Sequence, residues 1–436
     1  MHIRNFMIIS LVFILTAATT SIAQQSARIS VNCNLKPSSE THTYFIPPPN
    51  QYLNGEKTSE FDLTFVNATP KQEAAVRYAA DIWSSIVVSE VPIKVLVTFY
   101  PMQSLLGQCI SNMTKNFPGS PQQDTWFVSS LADAMTGVDQ QPGEYDMDIF
   151  ITTSVNWYEE IDGNCPSNKY DLASTVLHEM GHGLGYFGLG FVQNGVGSYG
   201  HVPESVLIRP IVFDFPDLEG LTTNYDRHVV NSAYENSTDT SLFPNPSEEL
   251  GDLFVSQDLY FDGESAVAAN DNELVKLFAP RTFYFGSSLL HLDESTFPPG
   301  NINTLMTPYS GFGEADHHPG PITIGIFQDL GWEINDSVTV DVKDEETLVN
   351  EFELFQNYPN PFNPTTSIEY QVARHEMVTL RVYNSLGQLV ETLVNDNKAP
   401  GVYNVNFDGS NLSSGVYFYK LSAGSFIQHR KMLMIK

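Results

Sequence analysis

The stretch Leu172-Ala173-Ser174-Thr175-Val176-Leu177-His178-Glu179-Met180-Gly181-His182 holds the residues of this chain best suited to chemistry. Histidines at i and i+4 share one face of a helix, so His178 and His182 can both offer an imidazole nitrogen to one Zn2+. Glu179, one step after the first histidine, then stands beside the ion within reach of an ion-bound water. Zinc lowers the pKa of such a water to about 7 and polarises a carbonyl. Glu179 is therefore expected to be the catalytic general base, taking the water proton and returning it to the leaving amine of a peptide. A bare H-E-x-x-H can arise by chance in an ordinary helix. Here Gly181, Leu184 and Gly185 extend it and an apolar stripe precedes it, both of which favour a site.

The elements that must position these side chains are legible around them. Asp171 is a plausible N-cap, and Leu172, Val176 and Met180 recur at i, i+4 and i+8, so that stripe packs inward while the histidines take another face. Gly183 and Gly185 are expected to end the helix. Upstream, Phe61–Val66 alternates as a strand, and Thr69-Pro70-Lys71-Gln72 combines an N-cap, a proline at N1 and a capping-box glutamine. The helix it opens carries Ala75, Tyr78, Ala79, Ile82, Trp83 and Ile86 at helical spacing. Ile93–Tyr100 and Asp148–Thr153 read as buried strands. Strands alternating with helices predict an α/β (α+β) domain. Gln24–Lys57, with Pro47-Pro48-Pro49, is expected to be an irregular arm, and Gly188 to about Leu290 to be rich in loops.

Catalytic zinc usually has three protein ligands, and the local pattern supplies two. The position three residues beyond Gly185, where the compact form of the motif places a third ligand, is Gly188, which has no side chain. His201, Glu204, His228, His291, His317 and His318 are all available farther along. A choice among them comes from a longer set of motifs: His178–Tyr186, then Phe213-Asp214, Gly286-Ser287-Ser288-Leu289-Leu290-His291-Leu292-Asp293-Glu294, Leu305-Met306-Thr307-Pro308 and Asp329-Leu330-Gly331-Trp332. Together they resemble a family of secreted bacterial proteases similar in layout to the leishmanolysin-type metzincins, in which an insertion separates the second histidine from the third ligand. The resemblance covers about Phe61 to Trp332. It implies a zinc metalloendopeptidase in which His291 is the third ligand and Met306 is the Met-turn residue beneath the metal.

Composition frames the rest. A chain of 436 residues exceeds the ~250–300 at which single cores stop growing, so two domains are expected. Hydrophobic residues at 42%, with 12% aromatic, suffice to fill them and argue against disorder. Met1–Ala23 runs from Arg4 through an apolar stretch to Ser21-Ile22-Ala23, the pattern of a signal peptide, and no later stretch is long and apolar enough to span a membrane. A net charge of −30 disfavours nucleic acid and anionic membranes as partners. No D-x-[DN]-x-[DN]-G loop points to calcium. Of the cysteines Cys33, Cys109 and Cys165, the pair 109/165 is favoured for a disulfide in the oxidising compartment implied by export.

The acidity belongs to the first domain. Asp336–Asn350 is a polar, acidic linker, and beyond it the charges nearly cancel while short alternating runs such as Val378–Tyr383 and Gly415–Lys420 alternate with turn signals. An all-β, immunoglobulin-like sandwich is expected there. Leu354–Thr366, Tyr383-Asn384-Ser385-Leu386-Gly387-Gln388 and Ser414–Phe418 resemble the type A sorting domain of the type IX secretion system, which implies that machinery as a partner and a secreted or cell-surface location. The expected order is therefore signal peptide 1–23, arm 24–57, metzincin-like protease domain 58–335, linker 336–351 and sorting domain 352–436. Two other readings stay open at this level: a surface adhesin that keeps zinc for structure alone, and a zinc hydrolase of a non-peptide substrate.

Overall fold

The computed structural model describes residues 25–200, 218, 220–338, 352–357, 359–372, 376–398, 401–410, 412–424 and 426–435. The signal peptide assigned to 1–23, the candidate ligands His201 and Glu204, and residues 339–351 of the linker lie outside them. In chain order the first half contains β1 (Gln25–Ile46), α1 (Asn50–Asn54), β2 (Phe61–Val66), α2 (Pro70–Ser84), β3 (Ile93–Tyr100) and β4 (Gly107–Lys115). It continues through β5 (Phe127–Val128), α3 (Ser129–Thr136), β6 (Met147–Thr152), β7 (Trp157–Tyr158), β8 (Tyr170–Asp171) and α4 (Leu172–Gly183). The principal sheet has the order β14-β1-β4-β6-β3-β2, with β5 added to β4, where β14 is Tyr309–Asp316. The strands β2, β3 and β6 run parallel, and β4 runs antiparallel to β6. Mixed pairing of this kind, with helices between the parallel strands, is the α/β arrangement the alternating segments predict.

Local chemistry accounts for the two helices that matter most. Thr69 caps α2 by accepting from the Gln72 amide while the Gln72 side chain returns to the Thr69 N–H, and Pro70 fills the first turn. The buried face of α2 is Ala75, Val76, Ala79, Ile82 and Trp83, and the Trp83 indole donates to the Leu177 carbonyl of α4 at 3.0 Å. That bond ties α4 to α2 at the turn preceding His178. Asp171 caps α4, accepting from Ser174 N–H at 2.8 Å and Ser174 Oγ at 2.7 Å. Every residue of α4 is buried.

The N-terminal segment departs from expectation. Instead of an irregular arm, Gln25–Ile46 is a strand inserted between β4, with which it pairs antiparallel, and β14, with which it pairs parallel. Its sequence lacks a clean period because most of its side chains from Lys36 onward are partly or fully exposed, so backbone pairing on both edges defines it. The disulfide expectation also fails: Cys109 and Cys165 are both free and buried. Cys109 lies in β4 with Cys33 of β1 as its partner in the ladder, whereas the Cys165 thiol is turned to the carbonyl of Lys169 at 3.4 Å.

The stretch after α4 is rich in loops, as expected, with short elements among its described residues. It holds β9 (Gly190–Gln193), β10 (Val196–Tyr199), β11 (Val229–Val230), α5 (Glu248–Phe254), β12 (Tyr260–Phe261), α6 (Glu264–Ala269) and β13 (Val275–Lys276), all too short for periodicity to register. A 3-10 turn at Thr304–Met306 leads into β14, and α7 (Pro321–Leu330) closes the unit. Gly331, at φ +106°, ends α7, and the Trp332 indole donates to the Leu184 carbonyl just past α4. Val338 is still buried in this core.

The C-terminal region is all β. β15 (Glu353–Leu354), β16 (Thr365–Val372) and β19 (Gly401–Asp408) form one antiparallel sheet. β18 (Leu389–Lys398), β17 (Glu376–Asn384), β20 (Gly415–Ala423) and β21 (Phe426–Met434) form a second. Alternate residues such as Ile368, Tyr370, Val378, Leu380, Val382, Tyr419 and Leu421 fill a core separate from the first. The asparagine of Phe355-Gln356-Asn357 is structural: its N–H donates to the Tyr419 hydroxyl, which itself donates to the Phe355 carbonyl, each at 2.7 Å.

Candidate metal centre

Helix α4 presents His178 and His182 one turn apart, and a loop from the far side of the intervening insertion brings His291 against them. Their Nε2 atoms form a triangle with sides of 3.1 Å between His178 and His182, 3.3 Å between His182 and His291, and 3.3 Å between His178 and His291. Each ring is oriented by its other nitrogen, which lies against a backbone carbonyl: Leu305 O at 2.6 Å for His178, Tyr186 O at 2.7 Å for His182 and Ser287 O at 2.9 Å for His291. A carbonyl only accepts, so each Nδ1 carries the proton and each Nε2 turns a lone pair into the triangle.

Three lone pairs aimed at one point repel one another unless a cation lies between them. Nitrogens bound at ~2.0–2.1 Å in a tetrahedral shell stand about 3.3–3.4 Å apart, close to the spacing here. Burial also keeps the rings neutral. It lowers His178 to about 4 against the opposing pull of the Leu305 carbonyl, and it lowers His182 and His291 well below the usual range, with the adjacent imidazoles adding to the effect. The donor set thus fits a divalent ion that favours imidazole nitrogen, zinc among them.

Glu179 is buried next to this triangle, and burial pushes its carboxyl well above the ordinary range. Neither of its oxygens has a well-formed hydrogen bond among the described residues; the Leu35 N–H of β1 faces the carboxyl and pulls its pKa down somewhat against the effect of burial. An orphaned buried carboxylate is costly in a fold and persists where a site requires it. Met306 lies fully buried under α4, where a Cβ added at Gly181 would come within 2.9 Å of its sulfur. The glycine of the extended motif is thereby explained as the close approach of Met306 to the helix.

The remaining candidates among the described residues serve elsewhere. His317 bridges Asp171 Oδ1 at 2.9 Å and the Tyr78 hydroxyl at 3.1 Å, bracing the cap of α4. His228 pairs with Asp262 at 3.2 Å and stacks on Phe261, and His318 Nδ1 accepts from the Gly320 N–H. Gly188 is excluded as a ligand and also barred from having a side chain: a Cβ there would stand 2.2 Å from Asp226 Oδ1.

Sequence reasoning missed Gly107, the first residue of β4. A Cβ at this position would lie 2.5 Å from Glu179 Oε1 and 2.7 Å from its Cγ. No motif surrounds it; only the approach of β4 to α4 reveals it. Gly107→Ala is expected to force the Glu179 side chain aside and destabilise the fold by about 1–3 kcal/mol, the usual range for overpacking, read as a lower midpoint in urea unfolding. An unchanged midpoint would mean that the carboxylate moves freely.

Comparison with known proteins bears on the C-terminal region. No curated protein sequence matches the chain. Among solved structures, the crystal structure of dimeric latent PorU from Porphyromonas gingivalis resembles a part of it at 16% identity and a TM-score of 0.17, over 19% of this chain and 9% of that one, too slight a likeness to support an argument. Residues 356–436 match the family described as "Secretion system C-terminal sorting domain". Among the described residues no helix is long and apolar enough to cross a membrane. The last 81 residues are thus a type IX secretion sorting domain, and the protein carrying it is secreted or displayed at the cell surface.

Proposed function

We propose that this protein is an exported zinc-dependent endopeptidase of the metzincin type, with His178, His182 and His291 holding the ion and Glu179 moving the proton. The observation that carries the reading is the Nε2 triangle of 3.1, 3.3 and 3.3 Å with an unpartnered buried carboxylate beside it on the same helix. Zinc, when bound, would acidify a coordinated water toward neutral pH and polarise a peptide carbonyl. The chain's own residues do the rest. The carbonyls of Leu305, Tyr186 and Ser287 fix ring orientation and tautomer. Glu179, next to His178 on the same helix, would take a proton from the attacking water and deliver it to the leaving nitrogen. Met306 and Gly181 hold the floor of the centre against the helix.

A purely structural zinc would leave the cost of burying Glu179 without a purpose, which argues against the adhesin reading. A polypeptide substrate is favoured over a non-peptide one because the backbone edges of β4 and β14 near Glu179 pair with an extended chain, here β1 itself. The test is metal dependence. Removal of zinc by a chelator should abolish casein hydrolysis, and one equivalent of Zn2+ per chain should restore it. Both the intact chain and chain trimmed at its N-terminus should be assayed, because β1 lies across the centre. Hydrolysis that survives complete metal removal would eliminate the proposal.

A further inference from the structure

The three rings of the triangle come from two stretches far apart in the chain, and one short turn touches both. That turn is Thr223–Asp226, inside the insertion between His182 and His291. On one side it holds the loop that leaves α4. Asp226 is buried, and its carboxylate accepts from the Thr223 N–H at 2.8 Å and from the Leu189 N–H at 3.0 Å. The Thr223 hydroxyl stands 3.0 Å from the Phe187 carbonyl. Phe187 follows Tyr186, the residue whose carbonyl orients His182 at 2.7 Å. On the other side, the Tyr225 hydroxyl donates to the Leu289 carbonyl at 2.9 Å, two residues before His291. The Tyr225 ring also packs on that of Tyr186, with 5.3 Å between centroids, so one side chain reaches both ligand-bearing loops.

Two observations show that these contacts hold conformations the loops would not keep alone. Leu289 has φ +72°, in the left-handed region that the Cβ of a leucine disfavours. Such a residue persists only where its surroundings over-determine it. Here the Tyr225 hydroxyl fixes its carbonyl, and its own N–H donates to the Phe278 carbonyl at 2.9 Å. The strained residue sets the direction in which the chain enters His291. The second observation is Gly188, which lies between the two halves: a Cβ there would stand 2.2 Å from Asp226 Oδ1 and 3.3 Å from the Leu290 side chain. The position at which the compact motif places its third ligand is thus filled from outside by the Asp226 carboxylate. The insertion uses that space to join the two loops.

We propose that Tyr225 and Asp226 are positioning residues for the metal centre: Asp226 fixes the loop whose Tyr186 carbonyl orients His182, and Tyr225 holds the strained Leu289 that delivers His291. The insertion then sets the affinity for the ion without touching it. This rests on the reading in which His178, His182 and His291 hold zinc.

The test measures the zinc affinity of the full chain by competition with a chromophoric chelator, together with the visible absorption of the Co2+ form, which reads ligand geometry. Tyr225→Phe keeps the ring and removes the bond to Leu289. Asp226→Asn keeps the volume, yet either orientation of the amide sets its N–H2 against the Leu189 N–H, because the two carboxylate oxygens lie 3.2 and 3.0 Å from that nitrogen. Each variant should weaken zinc binding by at least ~10-fold, the lower edge for residues that orient a ligand, and should shift the Co2+ bands. His317→Ala, which loses a brace outside the triangle, should move neither readout. Leu289→Gly supplies the rescue, since glycine takes positive φ without strain. In that background Tyr225→Phe should cost no more than ~2-fold, the coupling expected of two residues in direct contact. Affinity and bands equal to the parent's in both single variants would overturn the proposal, as would an undiminished cost of Tyr225→Phe beside Leu289→Gly. A parent chain that takes up neither Zn2+ nor Co2+ would remove the metal reading itself, and the positioning roles with it.

Discussion

His291→Ala is expected to strip the protein of zinc and to abolish peptide cleavage, in trimmed as in intact chain. Two histidines on one helical turn give an ion only two of the three protein ligands that catalytic zinc needs. The third corner is 109 residues away from His182 in sequence yet 3.3 Å away at Nε2. Loss of a residue that merely orients a ligand costs ~10–100-fold in metal affinity, so loss of a ligand should exceed that range. Removing this ring also leaves the Ser287 carbonyl without its 2.9 Å donor and opens a hole between α4 and the loop. His317→Ala supplies the contrast: its ring braces Asp171 outside the triangle, so stability should fall while zinc content stays at one per chain. Metal content by mass spectrometry beside cleavage of a peptide checks both variants. Full zinc and full activity in His291→Ala would move the third ligand elsewhere, with His201 and Glu204 the next to substitute.

The second large effect is expected of Glu179→Gln, which should keep the zinc and lose at least ~10²-fold in turnover, the lower bound for removing a general acid–base group. Glutamine preserves the volume of the side chain, so the tight approach of Gly107 is undisturbed. It cannot accept and return a proton. The folded protein should not suffer, because a carboxylate buried without a partner is exchanged for a neutral group that is easier to bury. An unfolding midpoint equal to or above that of the parent, with unchanged zinc content, would separate a catalytic loss from a structural one. Turnover comparable with the parent would remove Glu179 from the mechanism, even if zinc remained essential.

Both expectations depend on a helix whose address is local. The cap at Asp171, the stripe of Leu172, Val176 and Met180, and the spacing of His178 and His182 lie within a dozen residues, and backbone hydrogen bonding enforces them without reference to the rest of the chain. The same holds for the Thr69 capping box and for Ile93–Tyr100, whose predicted bounds coincide with β3. The sorting domain was legible for a related reason: its strands are long enough for alternation to register, and the turns between them carry their own residues.

The sequence by itself therefore determined the helix that carries His178, Glu179 and His182, the strands β2, β3 and β6 and the existence of a separate β domain, since each is set by neighbours within a few turns or a few alternations. The tertiary structure brings to the triangle the His291 that the resemblance implied, and it alone decided that Gly107 must lack a side chain, that Cys109 is free and stands opposite Cys33 in the β1–β4 ladder, and that the N-terminal segment is a strand across the centre. His291, His317 and His318 are alike as isolated residues; the turn from Tyr284 to Ser288 delivers the first to α4, while the fold spends the second on the Asp171 cap and turns the third to the Gly320 N–H. For β1 the reason is the same in another form. Its order comes from the unpaired edges of β4 and β14, and a strand defined by the edges it satisfies has no signature until those edges have been brought together.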